Sequence, residues 1–211
     1  MTDANLVAWY PMTKGSSTTL YDYSGNANNG TITGATWEKE KTGQYSLQYA
    51  GGSDNVNIDG GPVIAGSLTW SIWINSPTGG TGHLISNTDA ASAGYRTLLS
   101  TIASGTSFIV FDDAGTDFTV NAPISVVDTW EHYVVTLDVG NYISIYKNGI
   151  FVAQTSISGS TFNTTDNGFE IGNAAYTGTA AYNGKITNVI IYDRALSANE
   201  VKDLYKKTYI E

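Results

Sequence analysis

The chain has 211 residues, no cysteine and a formal net charge of -9, with 23 Gly, 14 Tyr and only 4 Pro. Disulfides, thiolate metal sites and a cysteine nucleophile are thereby excluded. No run of Lys or Arg reaches four residues, so a phosphate-neutralising face for nucleic acid and a polybasic contact with an anionic membrane are both disfavoured.

The chain order is that of a sandwich of short strands between turn signals. "LVAWYPM" opens as a strand with Pro11 near its end, and "YDYSGNANNGTITGATW" follows as a loop with a turn signal at Asn29-Gly30. "YSLQYAG" alternates Tyr45, Leu47 and Tyr49 on one face. In "SLTWSIWINSP", Leu68, Trp70, Ile72 and Ile74 alternate, which puts Trp73 on the opposite face with Ser71 and Asn75. "TSFIVFDDAGTDFTVN" predicts a hairpin with Asp113-Ala114-Gly115 at its tip. "TWEHYVVTLD" carries Trp130, His132 and Val134 on one side and Tyr133, Val135 and Leu137 on the other. Asn148-Gly149 predicts a two-residue hairpin turn in "NYISIYKNGIFVAQTSI". The only 3.6-residue periodicity closes the chain: Ser197 and Glu200 form a capping box, with Val201 and Leu204 on one apolar face of a helix of about two turns. With no internal repeat, low-complexity tract or linker, residues 1–211 are expected to form one domain.

Taken together, "LVAWYPM", "DYSGNANNGTITGATW", "GQYSLQYAGGSDNVNI", "SLTWSIWI", "TWEHYVVTLD", "ISIYKNGIFVA", "EIGN" and "GKITNVIIYDRALSANEV" resemble, in this order, the laminin G-like domains of the concanavalin A-like lectin/glucanase superfamily. The resemblance covers about residues 5–205. It implies an all-β, two-sheet antiparallel jellyroll sandwich in which the last strand pairs with the first and a short C-terminal helix covers one end. That fold hosts lectins, glycosidases, lyases and spacer modules, so activity has to be argued from residues.

Glycoside hydrolysis needs two carboxyl groups roughly 5–9.5 Å apart, and the superfamily's Glu-x-Asp-x-x-Glu strand pattern is missing from the sequence. Glu38 and Glu40 in "WEKEK" read as a solvated pair in a loop, and Asp112, Asp113 and Asp117 as hairpin-tip residues bonding the turn. His132 is expected to be packed and hydrogen-bonded, and His83 has no second histidine beside it. No Gly-x-Ser-x-Gly nucleophile turn is present. A non-enzymatic reading is therefore preferred over a glycoside hydrolase or polysaccharide lyase.

The resemblance also implies a structural Ca²⁺ on oxygen ligands of the first loop and the last strand. The corresponding residues are Asp22, Ser24 and Gly25, with Thr187 of "GKITN" at the position that carries an Asp in such domains. The alternative is a metal-free loop in which Asp22 accepts from backbone N–H groups; no cofactor is required in that case. Ring platforms for sugar are expected at Trp73, Tyr95, Tyr176 and Tyr182, and Trp9, Trp70 and Trp130 are expected in the core.

These residues point to a non-catalytic recognition or decoration module. The expected partner is a glycan or host cell-surface polysaccharide, with capsid or tail proteins or self-association as alternatives. "MTDANLVAWYPM" has neither a basic n-region nor an apolar h-region, and no apolar run is long enough for membrane insertion. The expected location is extracellular or on a virion surface, reached without a signal peptide. A purely structural assembly module stays open.

Overall fold

The computed structural model describes residues 3–59, 66–77, 81–89, 94–123, 126–162, 168–174 and 181–208. The first half of the chain forms β1 (Leu6–Tyr10), β2 (Thr19–Leu20), β3 (Gly30–Thr33), β4 (Thr36–Lys39), β5 (Tyr45–Ala50), β6 (Asn55–Asp59), β7 (Leu68–Asn75), β8 (Gly82–Asp89) and β9 (Gly94–Ile102). The second half forms β10 (Gly105–Phe111), β11 (Asp117–Ala122), β12 (Trp130–Asp138), β13 (Tyr142–Lys147), β14 (Ile150–Ser156), β15 (Gly168–Ile171), β16 (Asn183–Tyr192) and α1 (Ala198–Thr208).

Two antiparallel sheets face each other. The front sheet runs β14-β13-β12-β7-β16-β5-β4, with β1 also paired to β16, and the back sheet runs β11-β10-β9-β8-β15-β6-β3-β2. The first and last strands therefore meet, as the jellyroll reading required. The period-two alternation of β7 drives Leu68, Trp70, Ile72 and Ile74 between the sheets, where Tyr133, Val135 and Leu137 of β12 join them. Trp70 fills the centre, edge-on to Phe108 and Phe169 of the back sheet at 5.8 and 5.5 Å between ring centroids. Asn148 and Gly149 close the β13–β14 hairpin at φ of 51° and 73°, the left-handed pair that a type I′ turn needs.

The helix lies differently from the end-covering position that the family resemblance implied. It packs on the outer face of the front sheet. Leu196, Val201 and Leu204 form a second apolar cluster there with Leu6, Val134, Tyr146, Ile190 and Tyr192. Burial of Val201 and Leu204 stabilises this docking by about 3–6 kcal/mol. The helix has eleven residues, longer than the two turns expected, because its buried stripe continues from Leu204 to Thr208. Its capping box forms as the sequence predicts. The Ser197 N–H donates to Glu200 Oε2 at 2.8 Å, and the Glu200 N–H donates to Ser197 Oγ at 3.4 Å. The Arg194 guanidinium and the Ser197 donors hold the Glu200 carboxyl down at about 2.

Candidate functional site

The site expected from the rings changes once burial is known. Trp73 has no exposed surface and is no sugar platform. Its indole lies under α1, stacked on Tyr205 (5.6 Å, 18°) and on His132 (5.0 Å, 27°), and its Nε1–H donates to Thr208 Oγ1 at 2.9 Å. The alternation that put it on the outer face was correct; the helix then covered that face. Tyr182 is also fully buried, with its hydroxyl donating to the Asn75 carbonyl and sharing a bond with Ser76 Oγ. Tyr95 stands on β9 opposite Thr88, with its side chain outside the described residues, and Tyr176 lies outside them altogether.

His132 is packed as expected. It is fully buried, and its Nε2 sits 2.7 Å from Ser71 Oγ. Burial lowers its pKa to about 3, so the ring is neutral. Among the carboxylates, Glu131 is also structural: it takes Lys147 Nζ at 2.9 Å on one oxygen and the Tyr133 hydroxyl and Val126 N–H on the other. Glu38 belongs to strand β4 and not to the loop that the sequence suggested. Lys185 Nζ reaches both Glu38 (2.6 Å) and Glu40 (3.4 Å), which ties the two carboxylates to one cation. The Thr116 and Ala114 N–H groups hold the Asp112 carboxyl below the usual range, in the turn role assigned to it.

The Asp22 loop does not fit a calcium ion. Asp22 Oδ1 accepts from the Trp9 and Ser24 N–H groups, and Oδ2 from the Asn28 N–H and the Ser24 hydroxyl, at 2.8–3.0 Å. Four donors thus point at the carboxylate, an arrangement that satisfies an anion and leaves no face for a cation. Thr187 Oγ1 donates to the Tyr45 carbonyl at 2.9 Å. A hydroxyl can make that bond, whereas an Asp there would face a carbonyl and need an ion between them. Gly25 has a φ of 100° in the same loop. Among the described residues, no group of three or more His, Asp or Glu side chains is placed to hold a metal.

That saturated loop holds one wall of a groove of about 320 Å³. The wall is Trp9, the ring expected in the core but half-buried here, followed by Pro11, Met12 and Thr13. The β4–β5 hairpin contributes Gly43, Gln44 and Tyr45, the bulge of β16 contributes Asn188, and the last turn of α1 contributes Lys207 and Thr208. Trp9 is held from several sides. Its N–H is on Asp22, its carbonyl accepts from the Tyr23 N–H, and its Nε1–H donates to Asn188 Oδ1 at 3.0 Å. Tyr23, 45% exposed, stands edge-on to the indole at 6.3 Å and accepts a bond from Thr13 Oγ1. Asn188 reaches Trp9 because the pairing register shifts between Thr187 and Ile190 and Asn188 takes a φ of 50°. A β-bulge turns its side chain off the regular alternation.

The held ring of Trp9, the ring of Tyr45 and the exposed ring of Tyr23 beside Trp9, with amide and hydroxyl groups near them, make a surface suited to a ligand with apolar C–H faces and many hydroxyls. The chain order could have hinted at it only through Trp9 and Asn188, which lie 179 positions apart.

The two facing antiparallel sheets, with β1 closing on β16, define a jellyroll sandwich of the lectin type. The laminin G-type family, described as the concanavalin A-like lectin/glucanases superfamily, matches residues 50–202, more than half of the sequence, and the chain belongs to it. No curated protein matches the sequence. Among solved structures, the binding domain of Paraclostridial Mosquitocidal Protein 1 is similar at a TM-score of 0.79 and 17% identity, with 96% of this chain and 52% of that one covered. The botulinum neurotoxin serotype D ligand-binding domain in complex with N-acetylneuraminic acid has a TM-score of 0.76 at 14% identity, covering 96% and 51%. The binding domain of botulinum neurotoxin DC in complex with rat synaptotagmin II has a TM-score of 0.72 at 14% identity, covering 97% and 52%. At these identities the likeness is one of fold, and the chain spans about half the length of these structures.

Proposed function

We propose that this protein is a non-catalytic recognition module that binds saccharide in the groove between Trp9, Tyr45 and the last turn of α1. The observation that carries the reading is the fixed indole of Trp9, held through Asp22 and Asn188 and flanked by the exposed ring of Tyr23. A ring held in place before binding loses little freedom on contact, which is the condition for useful affinity from a small surface. The similar solved domains are described as binding domains, one with N-acetylneuraminic acid and one with synaptotagmin, which supports recognition as the role. Such a module acts outside a cell or on a virion surface, against a cell-surface glycan. The test is a glycan array read with wild type and Trp9→Ala. Binding that Trp9→Ala abolishes, with the circular dichroism spectrum unchanged, supports the proposal; wild-type binding that survives the substitution refutes it.

A second reading is an assembly module. It is favoured by the exposed Val126, Val127, Ile150 and Phe151, of which Ile150 is 70% exposed. The Val126 N–H and Lys147 meet on the carboxylate of Glu131, which brings the two loops to the same end of the front sheet. Light scattering across a concentration series, with Ile150→Ser as control, tests self-association.

A further inference from the structure

Two side chains of the groove present donors to a ligand. The indole N–H of Trp9 can only donate, so the amide oxygen of Asn188 must face it at 3.0 Å. The Asn188 Nδ2–H₂ is then the end of the amide left for a ligand, in a side chain that lines the groove. Thr208 Oγ1 accepts from Trp73 and donates to the Leu204 carbonyl, and is fully used. Among the described residues Lys207 is the one charged residue lining the groove, and it also borders a second groove with Asp3, Glu200 and Asp203, in a chain whose net charge is -9. Of the carboxylates on the same helix, Glu200, two turns before it, pairs with Arg194 at 2.7 Å, and Asp203, one turn before it, lies 3.9 Å from Lys206. Among the described residues, no ion pair involves Lys207.

A ligand oxygen entering this groove meets the Asn188 amide N–H₂ and the Lys207 side chain, and among the described residues no carboxylate lines it. Hydroxyls satisfy such donors, but a carboxylate or sulfate oxygen does so with charge-assisted bonds roughly twice as strong. The strained backbone of Asn188 fits the same purpose. A non-glycine residue at a φ of 50° inside a strand is costly, and here it aims one amide at both the platform ring and the groove. We infer that the groove selects acidic saccharides, whose carboxylate or sulfate oxygens meet the Asn188 amide and the Lys207 ammonium while Trp9 packs on a sugar face. This inference rests on the saccharide reading above.

Calorimetric titration with three tetrasaccharides of equal length tests it: an uncharged hexose, a hexuronic acid and a sulfated hexose. The acidic forms should bind about tenfold more tightly than the neutral form at low salt, with the gap closing as salt rises. Asn188→Asp keeps an acceptor for the Trp9 indole and tolerates the positive φ, but replaces the donor by a carboxylate. It should weaken acidic ligands by about tenfold more than it weakens the neutral ligand. Lys207→Gln should cost acidic ligands about fivefold more than the neutral ligand, and Lys207→Arg should restore the difference. Preference for one acidic arm over the other identifies the anionic group as carboxylate or sulfate and supports the inference. Equal, Trp9-dependent binding of neutral and acidic forms overturns it while leaving the saccharide reading standing. Binding of none of the three overturns both.

Discussion

Lowering the pH from 7 to 5 should destabilise the protein chiefly through His132. The imidazole is fully buried against Trp73 and Tyr205, with one hydrogen bond to Ser71, and its folded pKa is about 3 against an ordinary value of 6.5. The unfolded chain therefore takes up the proton more readily than the folded one. Stability is complete above the unfolded value and is lost as pH falls from about 6.5 toward about 3. Each unit in that window costs about 1.4 kcal/mol, so pH 5 should be less stable than pH 7 by about 2 kcal/mol. The carboxyls of Asp3, Asp112 and Glu200 are all lowered on folding; their contributions persist above the ordinary carboxylate range and disappear only below it. The interval from pH 6.5 to 5 is thus left to histidine. His83, half-buried and also lowered by desolvation, is the second contributor there. Urea unfolding at pH 7, 6 and 5 measures the slope in wild type, His132→Phe and His83→Gln. Phe keeps the stack on Trp73 and Tyr205 and removes the titration, so the slope should flatten in His132→Phe and persist in His83→Gln. Equal stability of wild type at pH 5 and 7, or an unchanged slope in His132→Phe, would refute the reasoning.

Three further outcomes follow from the packing. Gly15→Ala would place a Cβ 2.2 Å from Tyr45 Cε1 at a φ of 65°, so the Tyr45 ring must move; groove binding should fall, with about 1 kcal/mol or more lost in urea unfolding. Asp22→Ala leaves its four donors without their acceptor and should cost about 1–3 kcal/mol. Because that carboxylate is already satisfied, neither calcium nor a chelator should move the wild-type melting midpoint; a rise of several degrees with calcium would overturn the account of the loop. Glu131→Gln should lower stability by about 1–2 kcal/mol, because the partly exposed Lys147 loses its counter-charge but keeps Tyr133, as read by denaturant midpoint. New reducing ends released from a polysaccharide by wild type and lost in this variant would instead assign Glu131 to catalysis.

The sequence by itself determined most of the elements, though not β3 and β4, and the alternation of faces within them. Strict alternation in "SLTWSIWINSP" and "TWEHYVVTLD" separated Trp70 from Trp73 and Tyr133 from His132, and the structure keeps each pair on opposite faces, although Trp130, expected in the core, shares the His132 face and is only half-buried. Ser197 and Glu200 located the helix start for the same reason: a capping box is a contact over three residues. Alternation carries no information about what lies on the far side of a sheet. Only the tertiary structure decided that α1 covers Trp73 and His132, which turned an expected platform into a helix anchor. Tyr182 was misplaced for a related reason, since a loop-like stretch returns its ring to the core. The groove was likewise out of reach of local reading. It joins Trp9, Tyr45, Asn188 and Lys207 across nearly the whole chain, and it depends on a bulge that local pattern does not reveal. Short-range hydrogen bonding and side-chain period fix what each segment is, whereas the closure of β1 on β16 brings distant residues together to make a site.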